Sequence, residues 1–274
     1  MLSRFLYVPF IILSLVILYV AWEYDPAYAP YMIPLVVIMA LIYSFSPQID
    51  WWWGQKYPPE MEPAMRQVLT TRHAFYNRLP VKEKKRFRDR VGLYRMAIEF
   101  MPQGMESVPE DVKAAVAACA VYVTFGKKDF LLHPFENVII YPHPFPSPQY
   151  PEEWHSSEIF KEDGAILFST DHLMHSFLSP SQYYPTGIHE YAKVFITLNP
   201  DAPYPVYGPE HWEVFSRVCK FSKEAIHKWI GLKDIPMQAV GMTLFLSYSN
   251  AFLQALPEAY DRYVQILEFD PLHV

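Results

Sequence analysis

The chain has 274 residues, enough for one medium-sized domain with an added segment. Hydrophobic residues make up 51% of it and aromatic residues 17%, which excludes an intrinsically disordered chain. The net charge of −6 argues against a nucleic-acid partner, which calls for a basic face, and two cysteines are too few for a disulfide framework.

The apolar residues gather at the N-terminus. Phe5 to Trp22 carries no charge, and at ~1.5 Å per residue it spans roughly 27 Å as a helix, close to a bilayer core. A polar break with Glu23 and Asp25 follows, then a second apolar run from Tyr31 to Phe45 that Ala27–Pro30 and Ser46 can lengthen. Trp51, Trp52 and Trp53 come next; indoles favour the headgroup zone, so the chain is expected to leave the membrane there. A cleaved signal peptide, with Ala27-Tyr28-Ala29 as its cleavage site, is the competing reading. The second run and the tryptophans favour a transmembrane hairpin over residues 1–46. Arg4 precedes the first span and the turn holds no Lys or Arg, whereas Lys56, Arg66 and Arg72 follow the second. The positive-inside rule then places both ends, and the main domain, in the cytoplasm. The cluster Lys82, Lys84, Lys85, Arg86, Arg88 and Arg90 reads as the solvated face of a helix, with anionic lipid as the alternative contact.

Residues 47–63 read as a linker rich in Trp and Pro, and residues 64–274 as the main domain. Val81 to Phe100 has no proline and places Phe87, Val91, Tyr94 and Ile98 on one helical stripe. Ser107-Val108-Pro109-Glu110 starts a second, alanine-rich helix that ends near Gly126. Asn137–Tyr141 and Ala165–Ser169 read as strands, separated by a proline-rich loop from His143 to Pro151. Further helices are predicted from about Thr186 to Leu198, from Trp212 to Trp229 and from Pro236 to Ala255. Cys119 and Cys219 fall in helical runs and read as buried structural thiols. Helices dominate over a small sheet, so the fold class is α+β.

His189-Glu190-Tyr191-Ala192-Lys193 lies in the helix that follows Pro185. Zinc peptidases of the zincin type carry two histidines at i and i+4, which puts both imidazoles on one helix face around one metal. The Glu between them takes a proton from metal-bound water. Around this motif stand the alanine-rich helix ending VYVTFG, the strand NVIIYPHPF, the strand AILFSTDHL and the C-terminal LPEAYDRYVQILEFDP. In these stretches, and in their order, the chain from about Arg66 to Pro271 resembles the MtfA (Mlc titration factor A) family of bacterial zinc-dependent peptidases.

The resemblance implies a zincin-like domain on a bacterial inner membrane. It places His189 at the first zinc-ligand position and Glu190 at the catalytic-base position. Lys193 stands at the second histidine position, and Thr243, by counting back from Pro257, at that of the third ligand, a glutamate. A lysine ammonium repels Zn²⁺, and a lone imidazole falls short of the three protein ligands that a catalytic zinc needs. Lys193 is instead expected to fill the vacant metal charge and pair with Glu190. The expectation is a degenerate member with no cofactor, in which Glu190 is vestigial and the former substrate cleft binds a protein or peptide. An active zinc enzyme with a non-standard ligand set is the alternative, with His172, His175, Glu210, His211 and Glu213 as candidates for a relocated site. A structural membrane subunit with a vestigial cleft is the third reading. Tyr183, Tyr184, Tyr204 and Tyr207 flank the helix as lining or core residues, or as oxyanion donors.

Overall fold

A computed structural model describes residues 2–273 and divides the chain into two compact units, Met1–Pro59 and Glu60–Val274.

In the first unit, α1 (Leu2–Glu23) leads through a 3₁₀ turn (Pro26–Tyr31) into α2 (Met32–Ser44) and α3 (Ser46–Lys56). Leu2–Glu23 and Pro26–Ser44 are each long and apolar enough to cross a membrane. Asp25 caps the turn by accepting a hydrogen bond from the Ala27 amide at 2.9 Å. Asp50 of α3 accepts from the Ser3 amide at 2.9 Å and from its hydroxyl at 2.7 Å. These bonds satisfy donors at the start of α1 and bring the segment after α2 back to where α1 begins, as a hairpin requires. Within the stretch read as a linker, Ser46–Lys56 is therefore helical. The three tryptophans lie on this helix.

The second unit opens with α4 (Pro63–Arg72), α5 (Ala74–Arg78) and α6 (Val81–Ala97). Then come β1 (Glu99–Pro102), α7 (Glu110–Val123), β2 (Asn137–Tyr141), β3 (Ser157–Phe160), β4 (Ala165–Ser169), α8 (Thr170–Leu178) and α9 (Thr186–Leu198). Five helices close the chain: α10 (His211–Cys219), α11 (Lys223–Ile230), α12 (Met237–Ser247), α13 (Ser249–Ala255) and α14 (Pro257–Leu267). The sheet order is β1-β2-β4-β3, with β3 antiparallel at one edge and the other neighbours parallel. The α+β class is as expected.

β4 is buried along its whole length, which is why its sequence reads as a continuous apolar run. β2 alternates: Val138 and Ile140 enter the main core, while Ile139 and Tyr141 pack with Phe145 and Leu167 on the other face. α7 lies between α6 and α9, and its alanines let the neighbouring backbones approach closely. At Gly187 a Cβ would come within 2.6 Å of Cys119 Sγ and 2.9 Å of Leu173 Cδ1, so the α7–α9 crossing leaves no room for a side chain. Cys119 is buried in that crossing, and burial pushes its thiol up to about 12, so it acts as packing.

Several boundaries differ from expectation. The helix from Val81 stops at Ala97, because Glu99–Pro102 pairs in parallel with Asn137–Ile140 and sheet hydrogen bonds replace the helical ones. The predicted Trp212–Trp229 helix breaks at Lys220, whose backbone is left-handed (φ 65°), and restarts with Ser222 as the N-cap of α11. The predicted Pro236–Ala255 helix breaks at Tyr248. β3, with Glu158 in a four-residue strand, carries almost no strand signal and is formed by its pairing with β4.

The outer edge near β3 is covered by the chain itself. The Ser156 amide donates to Ile230 O at 2.7 Å. Gly231 then turns the chain with φ +90°, and a Cβ there would sit 2.2 Å from Trp154 O. Gly231→Ala should therefore cost about 2–4 kcal/mol, from a left-handed alanine and a clash with backbone that cannot yield. Denaturant unfolding of the variant against wild type measures this; a loss under about 0.5 kcal/mol, the scale of ordinary surface substitutions, would contradict the packing of this turn.

Candidate functional site

The first half of α9 is enclosed on every side. Residues Thr186 to Ala192 are all buried, packed against α7, α8, α12 and β3. His189 is 1% exposed and Glu190 0%.

Both carboxylate oxygens of Glu190 are engaged. Ser157 Oγ, on β3, donates to Oε1 at 2.8 Å. Lys193 Nζ lies 2.8 Å from Oε2, one helical turn further along α9. That second contact is an ion pair without hydrogen-bond alignment, so Oε2 is neutralised in charge but accepts no directed bond. The Lys193 side chain is 13% exposed, so its stem is packed while its head reaches the rim. The expected Lys193–Glu190 pair is present, and it is interior.

His189 is held as a neutral ring. Burial, and next the Lys193 cation, hold its pKa well below the ordinary histidine value. Its Nδ1 is 2.9 Å from the Tyr184 hydroxyl. Burial pushes the Tyr184 phenol well above its ordinary value, an effect partly offset by the neighbouring Thr243 hydroxyl. Thr243, fully buried on α12, also donates to Ala239 O at 2.7 Å. The fold therefore brings together all four positions singled out in the sequence: His189, Glu190 and Lys193 on α9, and Thr243 beside Tyr184. Tyr184 hydrogen-bonds to His189 and lies beside Thr243, whose hydroxyl donates to Ala239 O.

The candidates for a relocated site do not gather around His189. His172 bonds to Ser169 Oγ through Nδ1 (3.2 Å) and packs on Trp229 at 4.3 Å. His175 lies against Tyr183 at 5.3 Å. His211 Nδ1 accepts from the Gly208 amide at 3.0 Å and has Glu210 as its neighbour at 3.3 Å; Glu213 sits in the first turn of α10. Among the described residues no three His, Cys, Asp or Glu side chains form a group that could hold a metal ion. Tyr183 stacks near Trp229 at 4.8 Å, and Tyr207 donates to Tyr263 at 3.3 Å.

Ser157 was not visible as a site residue in the sequence. It lies on a strand that only pairing defines, and nothing local marks it. Tyr184 was visible as one of a flanking aromatic set, but its bond to His189 was not.

Chemically, a general base must meet its proton donor at hydrogen-bond distance. Glu190 has one oxygen on a serine, the other against an ammonium, and no exposed surface. This arrangement stores a buried charge pair.

The family model for the glucose-regulated metallo-peptidase M90 matches residues 50–199, a stretch that includes α9 and stops short of α12. No curated protein matches the chain.

Proposed function

Because the chain belongs to the glucose-regulated metallopeptidase M90 family and carries two N-terminal helices apolar enough to cross a membrane, we propose that it is a membrane-anchored member whose zinc centre has given way to a buried ion pair. It acts by binding a protein or peptide instead of cleaving one. The observation that carries this reading is the 2.8 Å contact between Lys193 and the fully buried Glu190.

The donor set does not fit zinc. A catalytic zinc takes three protein ligands, from neutral imidazoles, thiolates or carboxylates. Around His189 stand an ammonium, a threonine hydroxyl already bonded to a carbonyl, and a phenol that burial keeps protonated. None of the three is a zinc ligand in that state. The ammonium supplies the positive charge that Glu190 would otherwise find in the metal.

The two helices apolar enough to cross a membrane support a membrane location. With basic residues after the second span and none in its turn, the main domain hangs on the cytoplasmic side of a bacterial inner membrane. The partner meets the surface over Lys193, since the residues beneath it are sealed.

Metal analysis of the full chain, purified without added zinc, tests the proposal. The expected result is far less than one zinc per chain and no chelator-sensitive peptidase activity. Stoichiometric zinc together with chelator-sensitive cleavage would overturn it.

A further inference from the structure

Positive charge in this chain is concentrated in one stretch. Residues 56–90 hold ten Lys or Arg against four Asp or Glu, a net +6 in a chain of net −6, so the remaining residues carry −12. Such an asymmetry gives one part of the surface a field of its own sign despite the negative total.

Ion pairing and packing account for part of the stretch. Glu83 pairs with Arg86 at 3.1 Å, Asp89 with Lys85 at 2.5 Å and Glu62 with Arg95 at 3.0 Å. Arg90 is buried and donates to the carbonyls of Phe125 at 3.0 Å and Lys127 at 2.7 Å, so it serves the fold. Arg66, Arg72, Arg78, Lys82, Lys84 and Arg88 are left in the second unit. Among the described residues, none of these six forms an ion pair with a carboxylate.

Four of the six meet around Tyr76 of α5. Lys84 Nζ donates to Asn77 O at 3.0 Å and lies 5.8 Å over the Tyr76 ring. Arg88 donates to the Tyr76 hydroxyl at 2.7 Å. Arg72 and Arg78, both exposed, end α4 and α5 and share one surface depression with Tyr76. Contacts to α5 thus hold the first two turns of α6 in place while leaving donors to spare: a guanidinium has five N–H groups and an ammonium three. Like charges held together repel one another, and a layer of anions relieves that repulsion.

The chain indicates which anions are near. Residues 57–62 join α3 to α4, a reach of at most about 20 Å. The four cations lie on the first three helices after that join. A chain held by α1 and α2 keeps them close to headgroups, and an anionic leaflet attracts basic side chains next to a membrane span. A nucleic acid in solution would also meet the −12 carried by the remaining residues, whereas a bilayer meets only the face turned toward it.

We propose that the patch of Arg72, Arg78, Lys84 and Arg88 around Tyr76 docks the second unit on the anionic phospholipid headgroups of the membrane that holds α1 and α2. The docking rests on the membrane anchoring proposed above and is independent of the zinc reading. It turns α5 and the start of α6 toward the bilayer.

The test uses the full chain in nanodiscs of phosphatidylcholine, alone or mixed with phosphatidylglycerol. A water-soluble acetylating reagent labels the lysines, and peptide mass spectrometry reads the rate at each. With phosphatidylglycerol present, Lys82 and Lys84 are expected to react about tenfold more slowly than in phosphatidylcholine alone, while Lys161 and Lys220, exposed elsewhere on the unit, keep their rates. Salt at about 1 M, where the Debye length is about 3 Å, should remove the protection. One cation near an anionic surface is worth about fivefold in occupancy, so Arg72→Gln with Arg78→Gln should weaken docking about 25-fold and restore most of the reactivity. Equal rates in the two lipids, or protection that both high salt and the double variant leave intact, would overturn this inference alone. So would the same protection produced by soluble glycerol phosphate over phosphatidylcholine discs, since the patch would then hold a free anion instead of a surface. A chain that does not enter phosphatidylcholine discs would overturn the anchoring and this docking with it.

Discussion

Replacing Lys193 by alanine is expected to destabilise the second unit by about 3–5 kcal/mol, the usual cost of removing one partner from a buried ion pair. Glu190 would remain at 0% exposure, with Ser157 as its one polar contact at 2.8 Å. Replacing both partners by apolar residues, Glu190→Leu with Lys193→Met, should recover most of the loss, because neither charge is then left unpaired. Urea unfolding of Glu190→Leu, of Lys193→Met and of the double variant, beside Lys193→Ala, measures the coupling. A Lys193→Ala loss under 1 kcal/mol at pH 8 would mean that the pair is solvated and that Glu190 is open to substrate.

The second large effect concerns metal. Lys193→His combined with Thr243→Glu is expected to give a chain that binds one zinc, tighter than about 1 μM, or about 8 kcal/mol. His189 and a histidine at position 193 would share one face of α9, as i and i+4 positions do. A carboxylate at position 243 would enter from α12, next to the Tyr184 phenol that bonds to His189. The extra bulk of Glu at a fully buried threonine costs stability, on the order of 1–3 kcal/mol, and metal binding offsets it. Zinc should accordingly raise the unfolding midpoint of the double variant and leave that of wild type unchanged. A double variant that stays metal-free while folded would show that Thr243 is the wrong position.

Much of the fold could be read from local pattern. β2 and β4 fall at Asn137–Tyr141 and Ala165–Ser169, as predicted, because each is a short apolar run closed by turn or cap residues. The α9 start at Thr186 follows from Pro185, and the alanine-rich α7 from its start signal at Pro109–Glu110. The missed elements share one cause. β1 continues the apolar stripe of α6, and β3 has one charged residue among four, so neither differs locally from helix or loop. Both exist because β2 and β4 offer them hydrogen-bonding edges.

The site divides in the same way. Helical spacing alone put His189, Glu190 and Lys193 within one turn and made an ion pair the natural outcome of the lysine. Its burial depended on elements far away in the chain. Ser157 reaches Glu190 from β3, and Tyr184 bonds to His189 beside Thr243 of α12. Sequence by itself determined which charges and which helices this protein has, since composition, spacing and capping act over a few residues. Whether those charges meet water, a metal or one another was decided by the tertiary structure, because desolvation depends on what packs around a side chain from every direction.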